Sequence, residues 1–204
     1  MAPIVGILAY GSLIDDPGRE IAAAIKDVKD GVMTPFNVEF ARTSGSRRGA
    51  PTLVPVSPYG ARVRAQILVL DASVTDATDW LYRRERDRVG SNLRYEHPAN
   101  PGPNTIVIRH LAAFEGVDAM LYTEIGATIG DLSAVNLALL AIKSARGSDD
   151  GRDGISYLRA AKKNGVRTGL SDGYEQEIMR QTGAADLDEA LRIARAMTKG
   201  VHDH

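Results

Sequence analysis

Ile4-Val5-Gly6-Ile7-Leu8-Ala9-Tyr10-Gly11-Ser12-Leu13 opens the readable part of the chain: an apolar run, rich in β-branched residues, closed by a glycine. A short run of this kind predicts a buried strand ending in a turn. Working outward, Asp15, Asp16 and Pro17 signal a helix start, with the helix expected through Ile21, Ala24 and Ile25. Thr34 to Arg42 alternates, with Phe36, Val38 and Phe40 on one face, and predicts a half-buried strand. Thr43 to Ala50 reads as a Ser/Gly/Arg loop. Thr52 to Val56 and Val63 to Leu70 read as strands around the turn Ser57-Pro58-Tyr59-Gly60.

Asp71 to Arg88 has a helical pattern with Ser73 or Thr75 as its cap. Gly90 to Asn104 is a polar loop with three prolines, long enough to imply function or mobility. Thr105 to Phe114 and Val117 to Glu124 are expected strands joined by a Glu115-Gly116 turn. Helices are expected near 132–145, 153–164, 171–182 and 186–199, with Gly165 and Gly183 as stops. Strands crowd the first two-thirds and helices the last third. The expected class is therefore α+β: a small β-barrel or curled mixed sheet with flanking helices and a C-terminal helical extension. One domain is expected over 1–204, with a β-rich core at 1–125 and a helical appendix at 126–204.

Composition narrows the function. The hydrophobic fraction of 44% is too high for disorder, and 25 basic against 26 acidic residues leave a net charge of −1. That balance gives no field for nucleic acid or a membrane surface, so neither is expected as a partner. Without a cysteine, disulfides, thiolate metal sites and cysteine nucleophiles are excluded. The N-terminus lacks a basic n-region and cleavable apolar segment, and the apolar run Leu137 to Ile142 is too short to span a bilayer. A cytoplasmic location is expected.

Two places stand out chemically. In Tyr10-Gly11-Ser12-Leu13, a glycine after a buried strand lets a ligand approach the backbone, and successive N–H groups can form an anion cradle. The same residues would also serve a plain tight turn. In Leu81-Tyr82-Arg83-Arg84-Glu85-Arg86-Asp87-Arg88, one glutamate sits among four arginines. It is either part of a solvated helix face or a carboxylate projecting from a helix end into a pocket. Tyr122, near the end of an apolar strand, reads first as a core tyrosine. Ser12 lacks the setting of a hydrolase nucleophile. Asp149 to Gly154 lacks the acidic third ligand and closing glutamate of a calcium loop. His97 and His110 are isolated, and the His202/His204 pair sits on the last residues.

Taken together, the segments resemble the γ-glutamylcyclotransferases. Tyr10-Gly11-Ser12-Leu13 is similar to that family's signature turn, and residues 48–56 (Arg-Gly-Ala-Pro-Thr-Leu-Val-Pro-Val) to the segment entering its second group of strands. Trp80 to Glu85 resembles the ChaC-type stretch ending in the catalytic glutamate. Ala119 to Tyr122 resembles the late strand carrying a tyrosine near the pocket. Ser144 to Gly147 with Gly154 to Leu158 resembles the ChaC-type helical appendix. The chain departs from the pattern in two places. Tyr95 comes later than the aromatic ring usual after the glutamate, and Ala65 stands where relatives often carry glycine.

The resemblance implies a small β-barrel with flanking helices. It also implies a cofactor-free cyclisation with Glu85 as acid/base, Tyr10, Gly11, Ser12, Leu13 and Tyr122 as substrate contacts, and no metal. The expected substrate is a γ-glutamyl peptide, possibly glutathione. The alternatives are a γ-glutamylamine substrate, or a non-catalytic small-molecule-binding module of the same fold. The loop from Gly90 to Asn104 reads either as a plain connection beside solvent-facing arginines or as a lid, with Arg83, Arg84, Arg86, Arg88 and Arg94 as guanidiniums for a second carboxylate.

Overall fold

The computed structural model describes residues 3–147 and 150–197. In chain order it contains β1 (Val5–Ala9), α1 (Ser12–Asp15), α2 (Arg19–Ala24), β2 (Ile25–Met33), β3 (Asn37–Ser44), β4 (Ala50–Val56), β5 (Arg64–Leu70) and α3 (Val74–Glu85). These are followed by β6 (Val107–Phe114), β7 (Val117–Glu124), α4 (Ala134–Ala145), α5 (Gly154–Lys163), α6 (Ser171–Thr182) and α7 (Leu187–Ala196). The class is α+β. The expected last helix, near 186–199, is described only to Ala196, and positions 198 and 199 lie outside the described residues, as do Asp149, His202 and His204.

Two compact units share the chain. One comprises the described residues up to Pro35 with Arg62–Gly126; the other comprises Phe36–Ala61 with the described residues from Ala127 onward. The chain crosses between the units after Pro35, Ala61 and Gly126, and the β3–β4 hairpin groups with the helices and not with the first unit's strands. Its residues pack on α4 and α5, as where the Tyr157 hydroxyl accepts from Leu53 N–H at 3.3 Å.

The first unit is a five-stranded mixed sheet in the order β2-β5-β1-β7-β6. β1 pairs antiparallel with β5 and parallel with β7. Among the described residues β2 and β6 are free edges, so the sheet is open and the barrel implied by the resemblance is not formed. Each edge is blunted. β2 carries Lys26, Asp27, Lys29 and Asp30 and two register shifts against β5. On β6, Ile108 N–H donates to the Tyr95 hydroxyl at 3.1 Å. β2 replaces the expected helical continuation at Ile25, because its polar residues and bulges erase the period-2 signal.

Val5, Ile7 and Ala9 of β1 point to one face, where Leu68, Leu70, Ile108 and Leu121 join them against Leu13, Ile21, Ala77 and Leu81. Leu81 is fully buried, and its truncation to alanine would cost about 2–5 kcal/mol. Ser73 caps α3, accepting from Asp76 N–H at 3.1 Å. β6 and β7 join through Glu115 and Gly116, both at positive φ (50° and 74°), the requirement of a two-residue hairpin turn of the primed type.

In the second unit, Phe40 of β3 packs edge-on against Tyr157 and Tyr174, with ring centroids 6.2 and 5.3 Å away. Asp153 caps α5 from a fully buried position, accepting from Ser156 N–H at 2.7 Å. Gly183 ends α6 in the left-handed region, the expected helix stop.

Candidate active site

The site is built where β1 ends. After Ala9 the chain must turn, and Gly11 adopts φ 71° and ψ −138°, a conformation open essentially to glycine alone. Ser12 then begins the single-turn helix α1, closed by Asp16 N–H donating to Ser12 O at 2.9 Å. The N–H groups of Ser12 and Leu13 lie in that first turn and have no intrahelical acceptor. The Leu13 side chain belongs to the core, 7% exposed, so its expected role as a substrate contact reduces to its backbone. The Tyr10 hydroxyl donates to the Thr123 carbonyl at 3.0 Å and fastens the end of β1 to the parallel end of β7.

α3 delivers Glu85 to the same place. The helix stops there because Asp87 takes a left-handed conformation (φ 53°). Arg88 N–H then bonds Arg83 O at 2.8 Å, and Asp87 N–H bonds Arg84 O at 3.3 Å. Glu85 is therefore the last helical residue, three-quarters buried. Its Oε1 accepts from Arg84 Nη1 at 2.8 Å, and among the described residues its Oε2 has no hydrogen-bond partner.

Arg84 is the residue the sequence reading passed over as one arginine among several. Its Nη2 donates to Ser12 Oγ at 3.1 Å and to Asp16 O at 2.8 Å, and its Nε donates to Asp16 O at 3.0 Å. One guanidinium thus links the turn after β1 to the carboxylate ending α3. No sequence signal singles out Arg84 from its neighbours, because the acceptors that fix it lie about 70 residues upstream.

The other arginines are not interchangeable with it. Arg83 is 8% exposed and paired with Glu20 at 2.7 Å, and it also donates to Leu93 O at 2.8 Å. That pairing, with Gly90 N–H adding a bond, holds the Glu20 carboxyl below its usual range. Arg86 lies over the Tyr82 ring at 5.7 Å. The loop that reads as a connection or a lid is pinned over its first part. Gly90 N–H bonds Glu20, Tyr95 N–H bonds Asp79 Oδ1 at 2.8 Å, and the Tyr95 ring packs edge-on on Tyr82.

Tyr122 sits elsewhere. Leu121 faces the core cluster, so the alternation of β7 turns Tyr122 to the opposite face, beside Arg109 on β6. Burial, reinforced by the Glu124 charge, pushes its phenol above the usual range. The structure therefore links Ser12, beside Gly11, to Glu85 through Arg84, fastens Tyr10 to β7, and turns Tyr122 to the face opposite the core cluster.

Among the described residues no group of three or more His, Asp or Glu side chains could hold a metal ion, and no helix is long and apolar enough to cross a membrane. Compared with protein-family models, characterised proteins and solved structures, the chain gives no match.

Proposed function

We propose that the chain is a γ-glutamylcyclotransferase-like enzyme. It converts a γ-glutamyl peptide such as glutathione, or a γ-glutamyl amine, into 5-oxoproline and the free amine. The observation that carries the reading is Glu85: one oxygen is fixed by Arg84 and the other open, beside the glycine turn that ends β1.

The chemistry asks little else of the protein. The substrate's α-nitrogen attacks its own γ-carbonyl carbon, a five-membered ring closes, and the bond to the leaving nitrogen breaks. Glu85 Oε2 takes the proton released by the attacking nitrogen and returns it to the leaving nitrogen, so no proton is gained or lost over the cycle. Holding the chain curled supplies much of the acceleration. The free N–H groups of Ser12 and Leu13 are suited to the α-carboxylate or to the carbonyl oxygen as charge develops on it. Tyr122 has no step in this scheme. A cytoplasmic setting belongs to the same proposal, in keeping with a chain that has no cysteine.

The test is release of 5-oxoproline from a panel of γ-glutamyl peptides and amines. Glu85→Gln, folded by circular dichroism, should lose at least about a hundredfold in rate. Near-normal turnover by the folded variant would move the acid/base role to another residue. No 5-oxoproline from any substrate would favour the non-catalytic binding module.

A further inference from the structure

The second unit contains a cavity of about 560 Å³, a volume suited to a small molecule. Ile129, Leu132 and Leu170 give it apolar walls, and Tyr59, nearly half exposed, stands at its rim. Into this apolar space projects one acidic side chain. Glu39 is 1% exposed, in the middle of β3.

Its carboxylate is held in a fixed pose. Oε1 accepts from the Phe40 N–H at 2.9 Å and from the Thr168 hydroxyl. Thr168 is itself fixed, its N–H donating to Ser171 Oγ at 2.8 Å and its hydroxyl lying 3.1 Å from the same atom. Thr168 and Ser171 are both buried. Oε2 is different: among the described residues it has no hydrogen-bond donor and no cationic partner. Gly169 flanks this oxygen without a side chain; a Cβ there would come into ordinary contact with Oε2, 3.8 Å away. Burying a carboxylate in apolar surroundings is costly unless its charge is matched, and removing one partner of a buried pair leaves that cost uncompensated. Here the pose, the burial and the opening are all in place, and the matching charge is what the site lacks.

We infer that this cavity binds a small organic cation, a primary ammonium on an apolar body, with the ammonium on Glu39 Oε2 and the body against Ile129, Leu132 and Leu170. A primary ammonium carries three donors at the end of a narrow stem. It meets Oε2 in the cavity lining, beside Gly169, and the aliphatic body replaces water along the walls. A metal ion suits the site less well, because a single carboxylate with apolar neighbours offers too few ligands. This inference stands apart from the reading of Glu85 and uses none of its residues.

The test uses the full chain and n-hexylamine, with 1-hexanol and hexanoate as isosteres of the same length. Hexylammonium should bind saturably at neutral pH, followed by isothermal titration and by the rise in Tm. Hexanol should bind at least about tenfold more weakly, and hexanoate should not bind. Glu39→Gln keeps the acceptor for Thr168 and Phe40 but removes the charge, and should weaken hexylammonium at least about tenfold. Gly169→Val supplies a second variant: a Cβ at Gly169 lies in ordinary contact with Glu39 Oε2, 3.8 Å away, so the added side chain stands over that oxygen in the cavity lining, and binding should be weakened at least about tenfold. No saturable binding of hexylammonium to the folded chain overturns the inference. So does equal binding of hexanol, or undiminished binding by folded Glu39→Gln. If Glu39→Gln does not fold, undiminished binding by folded Gly169→Val overturns it alone.

Discussion

Arg84 donates a 2.8 Å hydrogen bond to Glu85, its immediate neighbour on the same helix. Adjacent residues on a helix do not face each other, so this pair exists only because both side chains are drawn to a common point. That point is the turn after β1, where Ser12 and Asp16 take up the rest of the guanidinium.

Arg84→Lys should therefore fail as a conservative change. An ammonium cannot reproduce the fork that reaches Glu85, Ser12 and the Asp16 carbonyl together. We expect kcat for 5-oxoproline release to fall at least about tenfold with KM changed much less, the pattern of a lost transition-state arrangement. Wild-type kcat in the lysine variant would show that the fork is not needed.

Gly11→Val and Ser12→Ala should separate backbone from side chain. Valine at φ 71° and ψ −138° carries backbone strain of about 1–3 kcal/mol and would reshape the turn. Alanine at 12 removes one of Arg84's acceptors while the Asp16 carbonyl remains, a loss of about 1 kcal/mol. Stability and turnover measured together should rank Gly11→Val well below Ser12→Ala; the reverse order would remove the turn from the site.

The Glu20–Arg83 pair sets an acid limit on stability. Arg83 holds the folded Glu20 carboxyl below its ordinary value of 4.5, so folding favours the ionised form. The pair's contribution is complete above that ordinary value and fades as pH falls through the lower folded one. Glu20→Gln should cost about 1.5 kcal/mol at pH 7, the low end for a hydrogen bond to a charged group in a partly buried pair. Denaturant titrations at descending pH should show the gap between variant and wild type closing below about pH 4.5. A gap constant down to pH 3 would contradict this.

Asp87→Gly should stabilise the chain. Asp87 occupies the left-handed position that ends α3, where a Cβ costs about 1 kcal/mol. Part of the gain is offset by the wider freedom of glycine in the unfolded chain, leaving about 0.5 kcal/mol and a Tm rise of about 1–2 °C. A fall in Tm would mean that the Asp87 side chain contributes more than its backbone costs.

Legibility in the sequence followed the locality of the physics. β1, the Ser73 cap, the Glu115-Gly116 turn and the start of each of the last four helices are written in adjacent residues, and each was found from them. β2 was missed because an edge strand defended by charges and bulges reads as polar chain. Between a barrel and a curled mixed sheet the sequence does not decide, since closure depends on whether two distant strands meet; the sheet is what forms. Glu85 stands out in the sequence only through the resemblance, and the guanidinium bonded to it does not stand out at all, because its other acceptors belong to another element. Leu13 illustrates the reverse: a motif position whose side chain is spent on the core.

The partnering of β1 with β7 has a consequence for how the protein is made. β1 is made well before its parallel neighbour, which spans Val117–Glu124, and the hairpin of the other unit is synthesised in between. During translation at about 5–20 residues per second, the β7-facing edge of β1 waits several seconds for its partner. Through that interval the nascent chain presents an apolar strand with one side unpaired. Chains that terminate between β5 and β7 should collect in chaperone-bound or aggregated form, while release after Glu124 should be marked by a step in protease resistance.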